Sequence, residues 1–425
     1  MTSPELINTN NPDVRPARVT LLGFSIEKKA LRAVLTAFIS TRLMVFLIIF
    51  ISSATMPMLP GQYLYADPDN LVLDGLIRHD SWWYVNIATR GYNMGNLETG
   101  EQGNVAFFPL YPLLVRMTAA LTGNVYLAGV LVANIAFLVA LSYLYALTRR
   151  EFDDPTAARA VFYFAGAPTA VFFSAMYTES VFVLLVIMTF YYARERQWVG
   201  AALAGALCAA TRNTGVLLAA VIALEGMHQH GVRFLPTSWN AGHLRDHVRT
   251  LFKGVLASWP SLLAAAFVPM GLFAYMAYLA IKFGDPIAFI TVQATWGRET
   301  NPAGITRVMG TTLEELNIGS RFLAGQVNMK TLLDVLFTLG FAPLILAVAF
   351  KMRPAHAVFV GLTFLVPLST GSTGSMTRYI LMLIPCFMLL AHWGWRSWVD
   401  RAILAIFLPL MAYFTVLFSH WYFAG

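Results

Sequence analysis

The residues most able to do chemistry lie in a short run at positions 78–92, where one acid, Asp80, stands among aromatic side chains. If this run is helical, four residues share one face at helical spacing: Asp80, Trp83, Tyr84 and Ile87. Gly91 favours the end of the helix. An acid beside aromatic rings at a membrane surface suits a general base that deprotonates an acceptor hydroxyl, because a partly desolvated carboxylate takes up a proton more readily. The alternative is that Asp80 only caps the first helical turn.

The elements that must position these residues are membrane helices. Of the 425 residues, 58% are hydrophobic and 12% are charged, whereas soluble proteins carry about 25% charged residues. The apolar residues form blocks close to the roughly 20 residues that cross a bilayer as a helix. The pattern predicts an all-α polytopic membrane protein with about 10–11 transmembrane helices, at 31–54, 125–147, 157–175, 177–193, 198–211, 214–227, 257–282, 331–350, 355–370, 379–394 and 402–420. The pair at 198–227 is either a re-entrant hairpin or two short crossings.

Basic residues cluster between the apolar blocks and predict the topology. With a cytoplasmic N-terminus, most of the 29 Lys and Arg residues face the cytoplasm. Residues 1–27 are then a disordered cytoplasmic tail, residues 28–425 a transmembrane domain, and 228–254 a basic cytoplasmic loop. The long loops 55–124 and 283–330 face the opposite side, and the first is expected to hold membrane-parallel helices. Arg42, inside the first span, is expected to snorkel to the cytoplasmic surface.

The run 78–92 is followed by Ala-Phe-Phe-Pro-Leu-Tyr-Pro at 106–112. Together these stretches look like the first luminal loop of the PIG-V-like mannosyltransferases, which are GPI mannosyltransferase 2-like members of the GT-C superfamily of membrane glycosyltransferases. Similar motifs are Phe-Phe-Ser with Tyr-Thr-Glu-Ser at 172–180, Thr-Arg-Asn-Thr-Gly at 211–215, Gln293 with Trp296, and Ser-Met-Thr-Arg-Tyr at 375–379. His79 departs from the family, which usually has Trp there.

The resemblance implies a GT-C-like bundle, a polyprenyl- or dolichyl-phosphate sugar donor with mannose favoured, and catalysis by an acid in the first outer loop, which falls on Asp80. An attack in line would invert the anomeric centre. The sequence requires no metal, although a divalent ion on Asp80 remains compatible with it. The acceptor is an unspecified glycan, glycolipid or protein, and nothing in the sequence indicates nucleic acid. The membrane is expected to be the bacterial plasma membrane or that of the endoplasmic reticulum.

Five further residues have expected roles, each with a structural alternative. Glu179 starts a predicted helix, where it either favours the helix N-terminus or lines a cavity that holds sugar hydroxyls. Arg212 and Arg378 fall on the predicted outer side, where a guanidinium can bind the donor phosphate or simply snorkel. Gln293 and Trp296 could contact a sugar ring, as could Trp83 and Tyr84 of the first loop, or anchor their loop at the interface.

Two other classes of protein fit parts of the pattern. A transporter or flippase of a lipid-linked substrate would also place acids and arginines in a helical bundle, but it predicts charged residues near the midplane of several spans. A non-catalytic membrane scaffold would need no polar outer pocket.

Overall fold

The computed structural model describes residues 18–21, 24–62, 66–96, 99–232, 241–296, 308, 324, 329–369 and 371–422. Ahead of the first helix, two strands, β1 (Arg18–Leu21) and β2 (Phe24–Glu27), pair antiparallel, with Arg18 opposite Glu27. The prediction of a disordered tail is therefore wrong for this hairpin. Residues 1–17 lie outside the described residues.

Apart from an isolated bridge between Asn96 and Glu101, all other regular structure in the described residues is helical. The helices are α1 Lys28–Thr55, α2 Leu71–Gly75, α3 Ser81–Arg90, α4 Leu110–Thr122, α5 Val125–Glu151, α6 Asp154–Ala165, α7 Glu179–Arg194, α8 Trp198–Ala209, α9 Leu218–Gln229, α10 Ala241–Ala257, α11 Trp259–Phe267, α12 Met270–Phe283, α13 Ala288–Thr291, α14 Met329–Lys351, α15 Pro354–Leu368, α16 Met376–Tyr379, α17 Ile384–Trp393 and α18 Ser397–Ser419. Short 3-10 turns occur at Asn104–Ala106, Ala170–Phe173, Asn213–Leu217, Val292–Trp296 and Ile380–Met382.

Five of the described helical segments are long and apolar enough to cross a membrane, which makes the chain an integral membrane protein: α1, α5, α11 with α12, α14 and α18. The segment from Met376 to Trp393 adds a sixth crossing if its two halves, bent by 79°, count as one span. The described part of the chain thus contains fewer full-length membrane helices than the predicted 10–11. The other apolar blocks form shorter helices, because several of them break into a helix and an irregular segment.

The most informative break follows α6, where residues 166–178 cross the protein core with only one 3-10 turn. Irregular backbone is tolerated at membrane depth only where the protein itself satisfies its polar groups. Arg42 of α1 does this, donating to the carbonyls of Ala165 at 2.8 Å and Ala170 at 3.0 Å and to the Ser174 hydroxyl at 3.1 Å. Asn134 of α5 accepts from the same hydroxyl at 2.9 Å. Arg42 is fully buried, so the prediction that it snorkels is wrong.

The first long loop folds back over the bundle through its own short helices. α3 packs on α4 and α5, and α2 packs on α1 and α18. A separate cluster of buried apolar residues joins the loop to α12 and α13: Val105, Phe108, Tyr275, Leu279, Ala288, Phe289 and Val292. Within it, the Tyr275 hydroxyl donates to the Val105 carbonyl at 2.8 Å. The loop is thereby held at both ends, which fixes the residues between them.

The two remaining predicted loops are described in part. The basic loop 228–254 contains the start of α10, and residues 233–240 lie outside the described part of the chain. In the loop 283–330 the structure describes α13 and the turn Val292–Trp296, whereas nearly all of 297–328 lies outside it.

Candidate active site

Four charged side chains from distant parts of the sequence meet at one place: Asp80, Glu179, Arg212 and Arg378. Arg378 Nη1 lies 3.0 Å from Asp80 Oδ2, and its Nε lies 2.6 Å from Glu179 Oε1. Arg212 Nη1 lies 2.8 Å from the same Glu179 oxygen. The four groups form a chain of alternating charge whose formal sum is zero, and this chain is called the charged quartet below.

Exposure differs across the charged quartet. The Asp80 side chain is 27% exposed, Arg212 is 19% exposed and Arg378 is 10% exposed, whereas Glu179 is fully buried. Within the described residues, Glu179 Oε2 is buried without a hydrogen-bond partner. Asp80 is therefore the carboxylate that a molecule from outside can reach, and Glu179 is the inner acid that joins the two arginines.

Asp80 is held in place through its backbone N–H, while its carboxylate contacts Arg378. It stands immediately before α3, but its side chain makes no capping hydrogen bond, so the alternative that Asp80 only caps the helix is wrong. Its N–H donates to the Tyr177 hydroxyl at 3.1 Å, and that hydroxyl donates to the Arg78 carbonyl at 3.2 Å. His79 between them has φ +50°, which turns the chain into the helix.

The helix that follows Asp80 agrees with the prediction. α3 spans Ser81–Arg90 and ends at Gly91, whose φ of +88° and ψ of −168° suit glycine. Tyr84 and Ile87 of the predicted face are buried. Trp83 of that face is half-buried, and Ser81, Val85 and Ala88 outside it are buried as well, so the spacing identified only part of the buried side of α3.

A buried ion pair between Arg78 and Asp74 supports the first long loop next to Asp80. Arg78 pairs with the Asp74 carboxylate one turn earlier in the chain, and its Nε donates to the Ser419 carbonyl of α18 at 2.9 Å. Asp74 Oδ1 in turn accepts from the Ala66 N–H at 2.7 Å. Removing one partner of a buried pair costs about 3–5 kcal/mol, so the pair fixes the Arg78 side chain. The bond from Arg78 to the Ser419 carbonyl then ties the loop that carries Asp80 to the last helix.

Aromatic rings pack against the guanidinium groups of both arginines of the charged quartet. The Arg378 guanidinium lies 5.0 Å from the Phe172 ring centre and 4.7 Å from that of Tyr177. Arg212 lies 5.7 Å from the Tyr379 ring centre. Rings under the face of a guanidinium attract it and leave its N–H edge available. The edges of both arginines are thus positioned to bind anions.

The predicted residues Trp83 and Tyr84 pack with Phe107 and form, beside the charged quartet, what is called the aromatic wall below. Trp83 stacks on Phe107 with ring centres 5.8 Å apart, and Tyr84 meets the same ring edge-on at 5.3 Å. Burial, with smaller contributions from the Glu179 and Asp80 carboxylates, raises the pKa of Tyr84 well above its ordinary value. Tyr84 therefore stays a neutral hydroxyl close to both acids.

The two predicted residues of the late loop are described only in part. Gln293 lies in the turn Val292–Trp296, and its side chain donates to the Phe289 carbonyl at 3.3 Å, within the same local turn. Phe289 packs against Phe108 of the first loop. The backbone of Trp296 ends that turn, and its side chain lies outside what the structure describes. The structure therefore places Gln293 near the first loop but gives it a local hydrogen-bond partner.

Sequence reasoning missed three supports of the site. Tyr177 holds the backbone of Asp80, and it belongs to the Tyr-Thr-Glu-Ser motif already singled out. Asp74 and Arg78 stand at the i, i+4 spacing of helical ion pairs. Both signals were present in the sequence, but neither says that the side chains are buried.

The donor set around Asp80 does not favour a metal ion. Its charged neighbour is the guanidinium of Arg378, whereas divalent ions such as Mg²⁺ and Ca²⁺ require several oxygen ligands. Within the described residues, no three His, Cys, Asp or Glu side chains come together. A divalent ion on Asp80 therefore stays a prediction from the sequence.

Together, the fold and the site define a helical integral membrane protein with a neutral cluster of two acids and two arginines beside an aromatic wall. The family described as Mannosyltransferase (PIG-V) matches residues 18–286. This is more than half of the chain, so the protein belongs to the PIG-V mannosyltransferase family.

Individual relatives match shorter stretches. GPI mannosyltransferase 2 of Drosophila pseudoobscura pseudoobscura is 31% identical over 169 residues, which is 35% of each chain. GPI mannosyltransferase 2 of Cryptococcus neoformans is 32% identical over 145 residues, covering 33% of this chain and 34% of that protein. The chain thus spans about a third of the length of the curated relatives it matches.

Two solved structures are similar at low sequence identity. The archaeal oligosaccharyltransferase AglB of Archaeoglobus fulgidus, in complex with an inhibitory peptide and a dolichol-phosphate, has 14% identity and a TM-score of 0.46. That match covers 92% of this chain and 56% of the other. ArnT of Cupriavidus metallidurans, bound to undecaprenyl phosphate, has 13% identity and a TM-score of 0.49, covering 91% of this chain and 76% of the other.

Proposed function

We propose that this protein transfers a sugar, mannose, from a polyprenyl- or dolichyl-phosphate donor to an acceptor on the non-cytoplasmic side of the membrane. The observation that carries the proposal is the contact of Arg378 with both Asp80 and Glu179. Together with the contact of Arg212 on the same Glu179 oxygen, it groups one accessible carboxylate with two guanidinium groups in a membrane protein. Membership of the mannosyltransferase family supports the choice of sugar.

In the proposed reaction Asp80 acts as general base. The acceptor hydroxyl gives its proton to the Asp80 carboxylate while its oxygen attacks the anomeric carbon of the donor sugar. The bond between that carbon and the phosphate oxygen breaks, and its electron pair leaves with the lipid phosphate. Asp80 suits this task because it is the more exposed of the two quartet acids, and a positioned base contributes about 10²–10⁴-fold to the rate.

Arg378 and Arg212 bind the donor phosphate in this proposal. Two of the three nitrogens of the Arg378 guanidinium contact Asp80 and Glu179. Within the described part of the chain, its Nη2 makes no hydrogen bond and can donate to a phosphate oxygen. Charge-assisted bonds from a guanidinium to phosphate are strong and directional. They stabilise the negative charge that develops on the departing phosphate.

The buried state of Glu179 argues for a single displacement. A covalent intermediate would require a second carboxylate that can reach the anomeric carbon, but Glu179 is fully buried and bonded to two arginines. We therefore propose inversion at the anomeric carbon. The same contacts suit Glu179 to holding the two arginines together better than to the predicted role of binding sugar hydroxyls.

The remaining roles complete the proposal. Trp83 and Tyr84 of the aromatic wall, with Gln293 and Trp296 of the late loop, are proposed to contact the sugar or the acceptor. The N-terminus is proposed to be cytoplasmic, which puts the quartet on the outer side. The acceptor is a glycan, glycolipid or protein that presents a hydroxyl there.

The test is transfer of radiolabelled mannose from polyprenyl-phosphate mannose, in membranes that contain the wild-type protein or the Asp80→Asn variant. Because the variant cannot take up the proton, we expect its rate to fall by about 10²–10⁴-fold while the folded protein is retained at wild-type level. A nucleotide-linked mannose serves as the donor control, and Asp69→Asn, an exposed acid of the same loop, as the matched variant that keeps full activity.

Two results would overturn the proposal. Equal transfer by the wild type and Asp80→Asn would remove Asp80 from the reaction. No transfer from any lipid-linked sugar, with folded protein and a broad acceptor mixture, would favour a transporter or a scaffold.

A further inference from the structure

Asp334 is a buried acid that the reaction described above does not use. It lies in the membrane helix α14 and is 1% exposed. Acids inside membrane helices are costly and are kept where they have a task. The task of Asp334 can be deduced from the groups it contacts.

Three donors from one short turn converge on the Asp334 carboxylate. Oδ2 accepts from the Ser375 N–H at 3.1 Å, and Oδ1 accepts from the Thr377 N–H at 3.0 Å and the Thr377 hydroxyl at 2.8 Å. Both oxygens of the carboxylate are thus used. An amide side chain cannot replace it, because one of its two polar ends only donates.

The turn anchored in this way leads directly into Arg378. Ser375 has the left-handed φ of +70°, and its carbonyl accepts from the Arg378 N–H at 3.0 Å. The helix that follows, α16, has four residues, too few to be stable without outside contacts. A second anchor holds the turn from the other side, where the buried Thr169 hydroxyl donates to the Thr377 carbonyl at 2.8 Å.

The contacts of Arg378 leave little room for displacement. Its Nε to Glu179 distance is 2.6 Å and its Nη1 to Asp80 distance is 3.0 Å, so a shift of the turn would break one or both. A misplacement of about 1 Å at a reacting site can cost about 10²-fold in rate. The position of the turn therefore decides whether Arg378 can serve the site.

We propose that Asp334 is a positioning residue, which fixes the turn 375–377 so that Arg378 points its guanidinium at the donor phosphate. This inference rests on the proposed role of Arg378. It adds a residue more than 40 positions away in sequence from the one it serves, on a helix that contributes nothing else to the quartet.

The first experiment is a double-mutant cycle in binding of undecaprenyl phosphate to the purified full chain, with the matching polyprenol as the control lacking phosphate. Hydrogen bonds to a charged group contribute enough for their loss to weaken binding about ten- to a hundredfold. We expect this loss for Asp334→Asn with the phosphate lipid alone. In an Arg378→Ala background, Asp334→Asn should cause no further loss.

The opposite outcomes are equally clear. Wild-type binding by Asp334→Asn overturns the proposal. So does a loss that adds in full to that of Arg378→Ala, because independent effects would mean that Asp334 acts on general stability and not through Arg378.

Threonine variants keep the proposal testable if Asp334→Asn does not fold. Thr377→Val removes the hydroxyl that donates to Asp334, and Thr377→Ser restores it. We expect the valine variant to bind the phosphate lipid more weakly and the serine variant to bind it as the wild type does. Thr189→Val is the matched control, since among the described residues its buried hydroxyl bonds only to the Leu185 carbonyl of its own helix, at 2.7 Å. A loss of binding in Thr189→Val equal to that in Thr377→Val would contradict the proposal.

Amide hydrogen exchange separates this proposal from the proposed function. If the wild type neither transfers sugar nor binds the lipid phosphate, the proposed function fails, but the anchoring of the turn is still measurable. Faster exchange of the Ser375 and Thr377 amides in Asp334→Asn than in Thr189→Val would support the anchor, and unchanged exchange would refute it.

Discussion

Replacing Glu179 by glutamine removes one negative charge from the middle of the charged quartet and keeps the size of the side chain. In the wild type, Glu179 Oε1 accepts from Arg212 at 2.8 Å and from Arg378 at 2.6 Å, in a fully buried position. The variant leaves two guanidinium groups with only the Asp80 carboxylate. We expect the buried cluster to become positively charged and the protein to lose stability.

The magnitude follows from the two bonds that change. Hydrogen bonds that involve a charged group contribute about 1.5–3 kcal/mol each. In the variant the amide oxygen can still accept from both guanidinium groups, but it has lost its own charge, so only part of each contribution is lost. Removing a partner from a buried ion pair costs about 3–5 kcal/mol. Together these values predict that Glu179→Gln lowers the free energy of unfolding by about 2–5 kcal/mol.

The assay is equilibrium unfolding of the purified protein in detergent, with two comparison variants. Glu195→Gln breaks the pair with Arg150, whose side chain is 55% exposed, and should cost less than about 1 kcal/mol. Adding Arg212→Gln to Glu179→Gln restores neutrality and should recover part of the loss. If Glu179→Gln unfolds like Glu195→Gln, or if the double variant loses the sum of both single effects, the quartet is not a coupled ion-pair network.

Two further predictions use the same unfolding measurement. Arg42→Leu removes the side-chain donor to the buried carbonyls of Ala165 and Ala170 and should cost about 1–3 kcal/mol for a buried carbonyl left unsatisfied at Ala165. Arg32→Leu, at an exposed position of the same helix, should change little. Equal effects would show that Arg42 does not support the irregular segment. Gly91→Ala forces an alanine into a backbone conformation suited to glycine and should lower the free energy of unfolding by about 1–3 kcal/mol. Gly340→Ala, in the middle of α14 where the added methyl group meets open space, should leave the stability unchanged or raise it. An unchanged stability in Gly91→Ala would mean that the end of α3 relaxes without cost.

Features that depend on neighbours in sequence could be predicted. The hydropathy pattern identified the long helices, and the spacing around Asp80 identified α3 and its end at Gly91. The pair of short helices predicted at 198–227 is present as α8 and α9, with the 3-10 turn Asn213–Leu217 between them. In each case the signal lies within one element, where side-chain periodicity reflects burial directly.

Contacts between distant elements could not be predicted in the same way. Asp80, Glu179 and Arg378 were each recognised as candidates, but the bond between Arg378 and Asp80 spans 298 positions. Arg42 shows the same limit, since its partner carbonyl at Ala170 is 128 positions away. Viewed alone, an arginine in a span suggests snorkelling, and only the fold shows the carbonyls that retain it.

The neutrality of the charged quartet has a consequence for how voltage acts on the proposed reaction. A sugar-phosphate diester brings one negative charge, whereas a free phosphate monoester carries about −1.5 to −2 at pH 7. In the proposed transfer, the leaving phosphate gains negative charge, and the proton that Asp80 takes up in the same step offsets it. Chemistry at this site would then move almost no net charge, and the membrane potential would neither drive nor oppose it. Any dependence on voltage or on outside pH falls instead on entry of the donor and on departure of the proton and the lipid phosphate.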